Sequence, residues 1–135
     1  MPKLAVGVPC FNEAPYIVDC LTSISENDLD DVQIYIEDNN STDGTVQEIE
    51  TFLDSLPKRT KRHFNLHKRT KTVSVCKNFN RPFEVTDTHY FMWIGGHDMV
   101  TNNFFKSCFE SFDANPSASM VSGKPLALSS DATEL

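Results

Sequence analysis

Three short polar stretches carry side chains able to do chemistry, and each follows an apolar run. Asn12 and Glu13 lie in "PCFNEAP", Asp38 and Asn39 in "EDNNSTDGT", and His97 and Asp98 in "GGHDMVTNN". Carboxylates and an imidazole can anchor a divalent cation or exchange protons, and amides can both donate to and accept from a polar ligand. The third stretch is the most pointed: in "HYFMWIGGHDMVTNNFF" an apolar run meets a Gly-Gly pair just before the imidazole and the carboxylate. Glycines at the end of a buried strand let backbone approach whatever sits beyond its C-terminal edge, where open α/β sheets bind their ligands.

The elements that must position these residues alternate between strand and helix patterns. "KLAVGVP" is a short apolar strand stopped by Pro9; after it, Ile17, Leu21 and Ile24 recur at helical spacing, with Pro15 suited to a first turn. "VQIYIED" is a second strand, "NNSTDGT" supplies turn residues and a helix start, and Val46, Ile49, Leu53 and Leu56 form a stripe that ends at Pro57. "HFNLHK" predicts the third strand and "YFMWI" the fourth. Between them Val75, Phe79 and Phe83 mark a helix disturbed by Pro82, and Phe105, Cys108, Phe109 and Phe112 mark a last helix, with "ASMVSG" as a fifth strand. These stripes read as core. The alternation implies an α/β fold, a mostly parallel sheet with helices on both faces, whose functional loops gather at the C-terminal edge. If the sheet order joins those edges, Asn12, Glu13, Asp38, Asn39, His97 and Asp98 converge on one crevice.

With 135 residues the chain suits one domain. It holds no apolar run of the roughly 20 residues a membrane span needs, and "MPKLAVGVPC" lacks the features of a signal peptide, so a cytoplasmic protein is expected. Cys10, Cys20, Cys76 and Cys108 have no metal-ligand spacing and read as free buried thiols. The net charge of −7 is unevenly spread: residues 1–57 carry −11, residues 58–81 carry +9 with no acid at all, and residues 82–135 carry −5. The basic block lacks a nucleic-acid motif and the remaining acidity opposes a polyanion, so it reads as a solvated edge strand and loop, with room for one or two bases turned toward a ligand phosphate, and no nucleic-acid partner is expected.

The three loops are also where the sequence resembles a family. "VGVPCFNEAPYIVDCLTSI" is similar to the opening strand, Pro-x-x-Asn-Glu loop and helix of family 2 nucleotide-sugar glycosyltransferases, and "IYIEDNNSTDGT" to their second strand and Asp-rich loop. "SVCKN" resembles the family's Ser-x-x-Arg-Asn helix start, and "YFMWIGGHD" falls where the family places its Asp-x-Asp metal motif. The four motifs stand in the family's order across about residues 3–123. The resemblance implies a GT-A, Rossmann-like fold in which residues 1–123 bind a nucleoside-diphosphate sugar, UDP being the first candidate, and residues 124–135 form a polar tail. It implies that Pro9 and its neighbours line the base and ribose pocket, that Asp38 and Asn39 face the base, and that Asn12, Glu13, Lys77 and His97 complete the nucleotide-sugar site. For Asp38 a plain turn role also fits, for Glu13 a helix-start role, and for Lys77 a solvent-directed side chain.

The chain departs from the family pattern in two places. Asn39 stands where relatives often carry a second Asp, which weakens the case for uridine. Gly95-Gly96-His97-Asp98 stands where they read Asp-x-Asp-Asp, leaving one carboxylate. One is enough if a cation takes most of its ligands from the diphosphate and water, so the resemblance implies Mn²⁺ or Mg²⁺ held by Asp98, with His97 as a second ligand or a ribose or phosphate contact. Inverting transfer to a glycan or lipid-linked acceptor needs a general base. The family places it beyond the fifth strand, here past Leu135, and none of Glu110, Asp113, Asp131 and Glu134 matches by motif, so an N-terminal donor-binding part of a longer enzyme is expected. A donor-binding module without turnover is the alternative. A nucleotidyltransferase would need a Gly-rich, basic phosphate loop after the first strand, which is missing.

Overall fold

The computed structural model describes residues 1–127, so the tail carboxylates Asp131 and Glu134 and most of the 124–135 tail lie outside the described residues. The chain divides into two compact units, one spanning residues 1–102 and a second beginning at Asn103. The first unit holds β1 (Leu4–Cys10), α1 (Ile17–Ser25), β2 (Val32–Asp38), α2 (Thr45–Ser55), the one-turn α3 (Lys58–Lys61), β3 (Phe64–Lys68), α4 (Val75–Glu84) and β4 (Tyr90–Trp93). The second holds α5 (Phe104–Ala114), which starts after Asn103 in the left-handed region at φ 63°. No helix among the described residues is long and apolar enough to cross a membrane.

The four strands form a parallel sheet in the order β3-β2-β1-β4. Every residue of β1 is buried, as a central parallel strand covered on both faces requires. Cys10 and Gly7 show the two faces, because alternate residues of a strand point to opposite sides. On Cys10's side lies Ile17 of α1, whose Ile17, Cys20, Leu21 and Ile24 are fully buried. On Gly7's side lies Pro82 of α4, and a Cβ on Gly7 would stand 3.0 Å from the proline ring and 3.1 Å from Phe91. Gly7 is there because α4 packs where a side chain would be.

Several sequence expectations are corrected. Pro82 does not disturb α4: the helix runs through it and buries it, together with Asn78, while Val75, Phe79 and Phe83 stay 68%, 39% and 58% exposed and are not core. Residues 118–123, the expected fifth strand, form no strand. The basic block folds partly as α3, and its charge is met in part by α2 through Lys61–Asp54 at 2.7 Å and Lys68–Glu50 at 2.6 Å. β3 is an edge strand, as expected. All four cysteines are free, but only Cys10 and Cys20 are buried; Cys76 is exposed and Cys108 half-buried.

Candidate functional site: a cleft at the carboxyl ends of the strands

Strands β1, β2 and β3 progress toward one edge of the sheet, and the chain then crosses back to lay β4 on the other side of β1. This reversal opens a crevice between the carboxyl ends of β1 and β4, the usual ligand position in open α/β sheets. A cavity of about 150 Å³ lies there. Pro9, Cys10, Phe11 and Glu13 line it from the end of β1, and Gly95, Gly96 and His97 from the segment after β4. Asn39 and, from α4, Val75, Asn78 and Phe79 form its remaining wall.

The Gly-Gly pair answers to close approach, since neither glycine has a positive φ. A Cβ on Gly96 would stand 3.0 Å from the Cys10 Cβ, 3.2 Å from the Glu13 side chain and 3.4 Å from Ile17, so only glycine lets this segment lie against β1 and α1. A Cβ on Gly95 would stand 2.7 Å from Asp98 Oδ2 and 3.6 Å from the His97 ring. Gly95 therefore makes room for the Asp98 carboxylate, while the His97 ring would be in ordinary contact. Asp98 closes a turn, its N–H donating to the Gly95 carbonyl at 2.9 Å and its Oδ2 accepting from the Gly95 N–H at 3.2 Å.

His97 Nδ1 lies 3.0 Å from Glu13 Oε1, joining the segment after β4 to the β1–α1 loop. The hydrogen bond to Glu13 raises the imidazole pKa above its ordinary 6.5, against an opposing effect of burial and with help from the charges of Glu13 and Asp98. In the neutral ring the same contact places the proton on Nδ1 and leaves the Nε2 lone pair outward. Among the described residues no group of three or more His, Cys, Asp or Glu is placed to hold a metal. Asp98 and His97 bring two candidate donors to this end of the cleft, too few to hold an ion without ligands from elsewhere.

The loops from β1 and β2 brace one another. Asn12, at φ 56°, donates its N–H to Ser41 Oγ at 2.9 Å and accepts the Thr42 N–H at 2.9 Å through Oδ1. The Glu13 N–H donates to Thr45 Oγ1 at 2.8 Å, and the Ala14 N–H to Asp43 Oδ2 at 3.1 Å. Asp38, 1% exposed, accepts the N–H of Ser41, three residues on, at 3.1 Å. Asn39, 4% exposed, pairs with the backbone of Val73 in both directions: Nδ2 donates to its carbonyl at 3.0 Å and Oδ1 accepts its N–H at 2.9 Å. Each Asn39 group keeps a second hydrogen-bonding position. Lys77 is exposed and does not line the cavity; its N–H donates to the capping Ser74 Oγ at 3.4 Å.

The structure thus brings Pro9, Glu13, Asn39 and His97 to one cavity with Asp98 beside it, and gives Asn12 and Asp38 bracing contacts. Sequence reasoning missed Phe11, Val75, Asn78 and Phe79, which the apolar pattern assigned to core or left unremarked. It also missed Ser41, Asp43 and Thr45, although "STDGT" is rich in the side chains that bond loop N–H groups. The buried thiols are not nucleophiles. Burial, then the nearby charges of Asp98 and Glu13, pushes Cys20 up to about 12, and burial with Asp38 and Glu13 pushes Cys10 higher.

Fold and cleft together define an α/β domain with a candidate site at the switch point of a parallel sheet. The model described as Glycosyl transferase family 2 matches residues 5–127, and the chain belongs to that family. Among solved structures it is similar to S. aureus TarS 1-349 in complex with UDP-GlcNAc (TM-score 0.73, 20% identity, covering 84% of this chain and 32% of that chain). It is also similar to the mannosyltransferase PcManGT from Pyrobaculum calidifontis in complex with GDP-Man and Mn²⁺ (TM-score 0.64, 23% identity, 73% and 28%). These likenesses establish the GT-A fold, and the chain spans about a third or less of either protein.

Proposed function

We propose that residues 1–123 are the donor-binding part of a nucleotide-sugar glycosyltransferase, acting with a divalent cation in inverting transfer to a glycan or lipid-linked acceptor. The observation that carries this reading is the convergence of the segments following β1, β2 and β4 with the start of α4 on one cavity at the switch point. At about 150 Å³ it is smaller than the roughly 300–1,000 Å³ of a complete small-molecule site, so it holds part of the donor, with the remainder lying across the open strand ends. The exposed rings of Phe11 and Phe79 give a base apolar surface. Asn39 has one N–H and one lone pair left for a base edge, which suits uracil without demanding it; the TarS complex with UDP-GlcNAc makes UDP the first nucleotide to try. Free thiols suit a reducing compartment such as the cytoplasm.

In this reading the leaving diphosphate lies toward Asp98 and His97. Mn²⁺ or Mg²⁺ bound there supplies positive charge against the charge that builds on the leaving phosphates. Glu13 holds the His97 ring in place, and Gly95 keeps room for the Asp98 carboxylate. Amide shift mapping by NMR with UDP tests the placement. The expected changes fall on residues 9–13, 73–79 and 95–98. Changes confined to the opposite end of the sheet, around Asn27 and His63, would overturn it.

A further inference from the structure

Glu37 is a carboxylate in the middle of the fold, 1% exposed and unused by the site. Its Oε1 accepts from Arg69 Nη2 at 2.9 Å and lies 2.9 Å from His67 Nδ1, and its Oε2 accepts from Arg81 Nη1 at 3.0 Å. A buried ion pair costs desolvation, and apolar residues of similar volume often serve stability as well. Its value here is geometric. Arg69 is forked: Nε donates to Asn78 Oδ1 at 3.1 Å and Nη2 to the Lys77 carbonyl at 3.2 Å. Asn78, 3% exposed, in turn donates from Nδ2 to the Glu37 carbonyl at 3.1 Å.

We propose that Glu37 and Arg69 are positioning residues for the cavity: the buried carboxylate aims the Arg69 fork, and the fork fixes the first turn of α4 as the cavity wall. Apolar packing does not fix that turn, because Val75 and Phe79 are exposed and the helix buries only Asn78 and Pro82. The segment entering it is tied at both ends, by the Arg69 N–H to the Asp38 carbonyl at 3.0 Å and by Asn39 to Val73. Lysine at position 69 keeps the charge but not the fork, so it frees the turn. Arg81 reaches the same carboxylate from the last turn of α4 rather than the first, which makes Arg81→Lys the matched control.

The inference rests on the donor-binding reading where it concerns affinity, and is independent of it where it concerns the turn. The test compares wild type, Arg69→Lys and Arg81→Lys by melting temperature, by amide hydrogen exchange over residues 73–79, and by UDP affinity measured well below melting. Arg69→Lys is expected to speed exchange over 73–79 and to weaken UDP by about tenfold, the scale of one lost charge-assisted contact; Arg81→Lys should keep affinity within about twofold despite a lower melting temperature. Equal melting losses with unchanged UDP affinity and unchanged exchange at 73–79 would make the knot a stability element only and overturn the proposal. If wild type binds no UDP, the donor reading fails and exchange alone decides: protection unchanged in Arg69→Lys still overturns the positioning role. Should Arg69→Lys not fold, Arg69→Gln combined with Glu37→Gln removes both charges together and is read in the same way.

Discussion

Asp98 and His97 offer the cleft different chemistry, and their variants separate it. Asp98→Asn removes the one carboxylate left in the motif but keeps an acceptor for the Gly95 N–H, so the fold should tolerate it. It is expected to weaken nucleotide binding in Mn²⁺ at least about tenfold, since losing even an outer-shell partner of a metal ligand costs about 10–100-fold in metal affinity, and to leave metal-free binding nearly unchanged. Calorimetry in Mn²⁺ and in chelator reads the difference. For His97 the folded pKa lies above the ordinary 6.5 because Glu13 holds the imidazolium. The stabilisation this gives is fully present below the unfolded value and is lost as pH rises through the folded one. An NMR titration of the metal-free chain should therefore place the His97 midpoint above 6.5, and Glu13→Gln should bring it down. If Nε2 ligates the ion, Mn²⁺ affinity rises with pH across the same range, because the metal must displace the proton.

At the scale of elements, the two adjacent glycines should fail in different ways. Gly96→Ala drives a methyl against the Cys10 Cβ at 3.0 Å, between a strand and a helix that cannot move apart. Overpacking of this kind costs about 1–3 kcal/mol, visible as a lower melting temperature. Gly95→Ala meets only the end of the Asp98 side chain, so it should melt near wild type while losing the metal-dependent part of nucleotide binding. The glycines were legible as a sign of close approach, because they follow an apolar run and precede polar side chains. The packing of α4 was not. Its Val75, Phe79 and Phe83 repeat at helical spacing, a pattern that ordinarily marks the buried face, yet they are exposed while Asn78 and Pro82 are buried. Gly7 opposite Pro82 and the Glu37 knot decide which face turns inward, and both depend on pairings far apart in the sequence.

Across the whole molecule, β1 to β4 and the helices that follow were readable from period alone, since a parallel sheet needs continuous apolar strands and amphipathic crossovers. "ASMVSG" shows the limit, because a short apolar run becomes a strand only if a neighbour pairs with it, and residues 118–123 have no such partner in the sheet. The cleft was readable as three loops that must meet. The second duty of those loops, bracing one another through Asn12, Ser41, Asp43 and Thr45, is a tertiary fact that no local pattern carries. The claim on which the rest depends is that this cleft binds a nucleoside diphosphate. Calorimetry of the folded chain against UDP, GDP and dTDP, each with Mn²⁺ and with chelator, tests it most directly. Saturable binding of at least one, tighter with Mn²⁺, is the predicted result. No binding of any of the three at millimolar concentration, in either condition, would contradict the account.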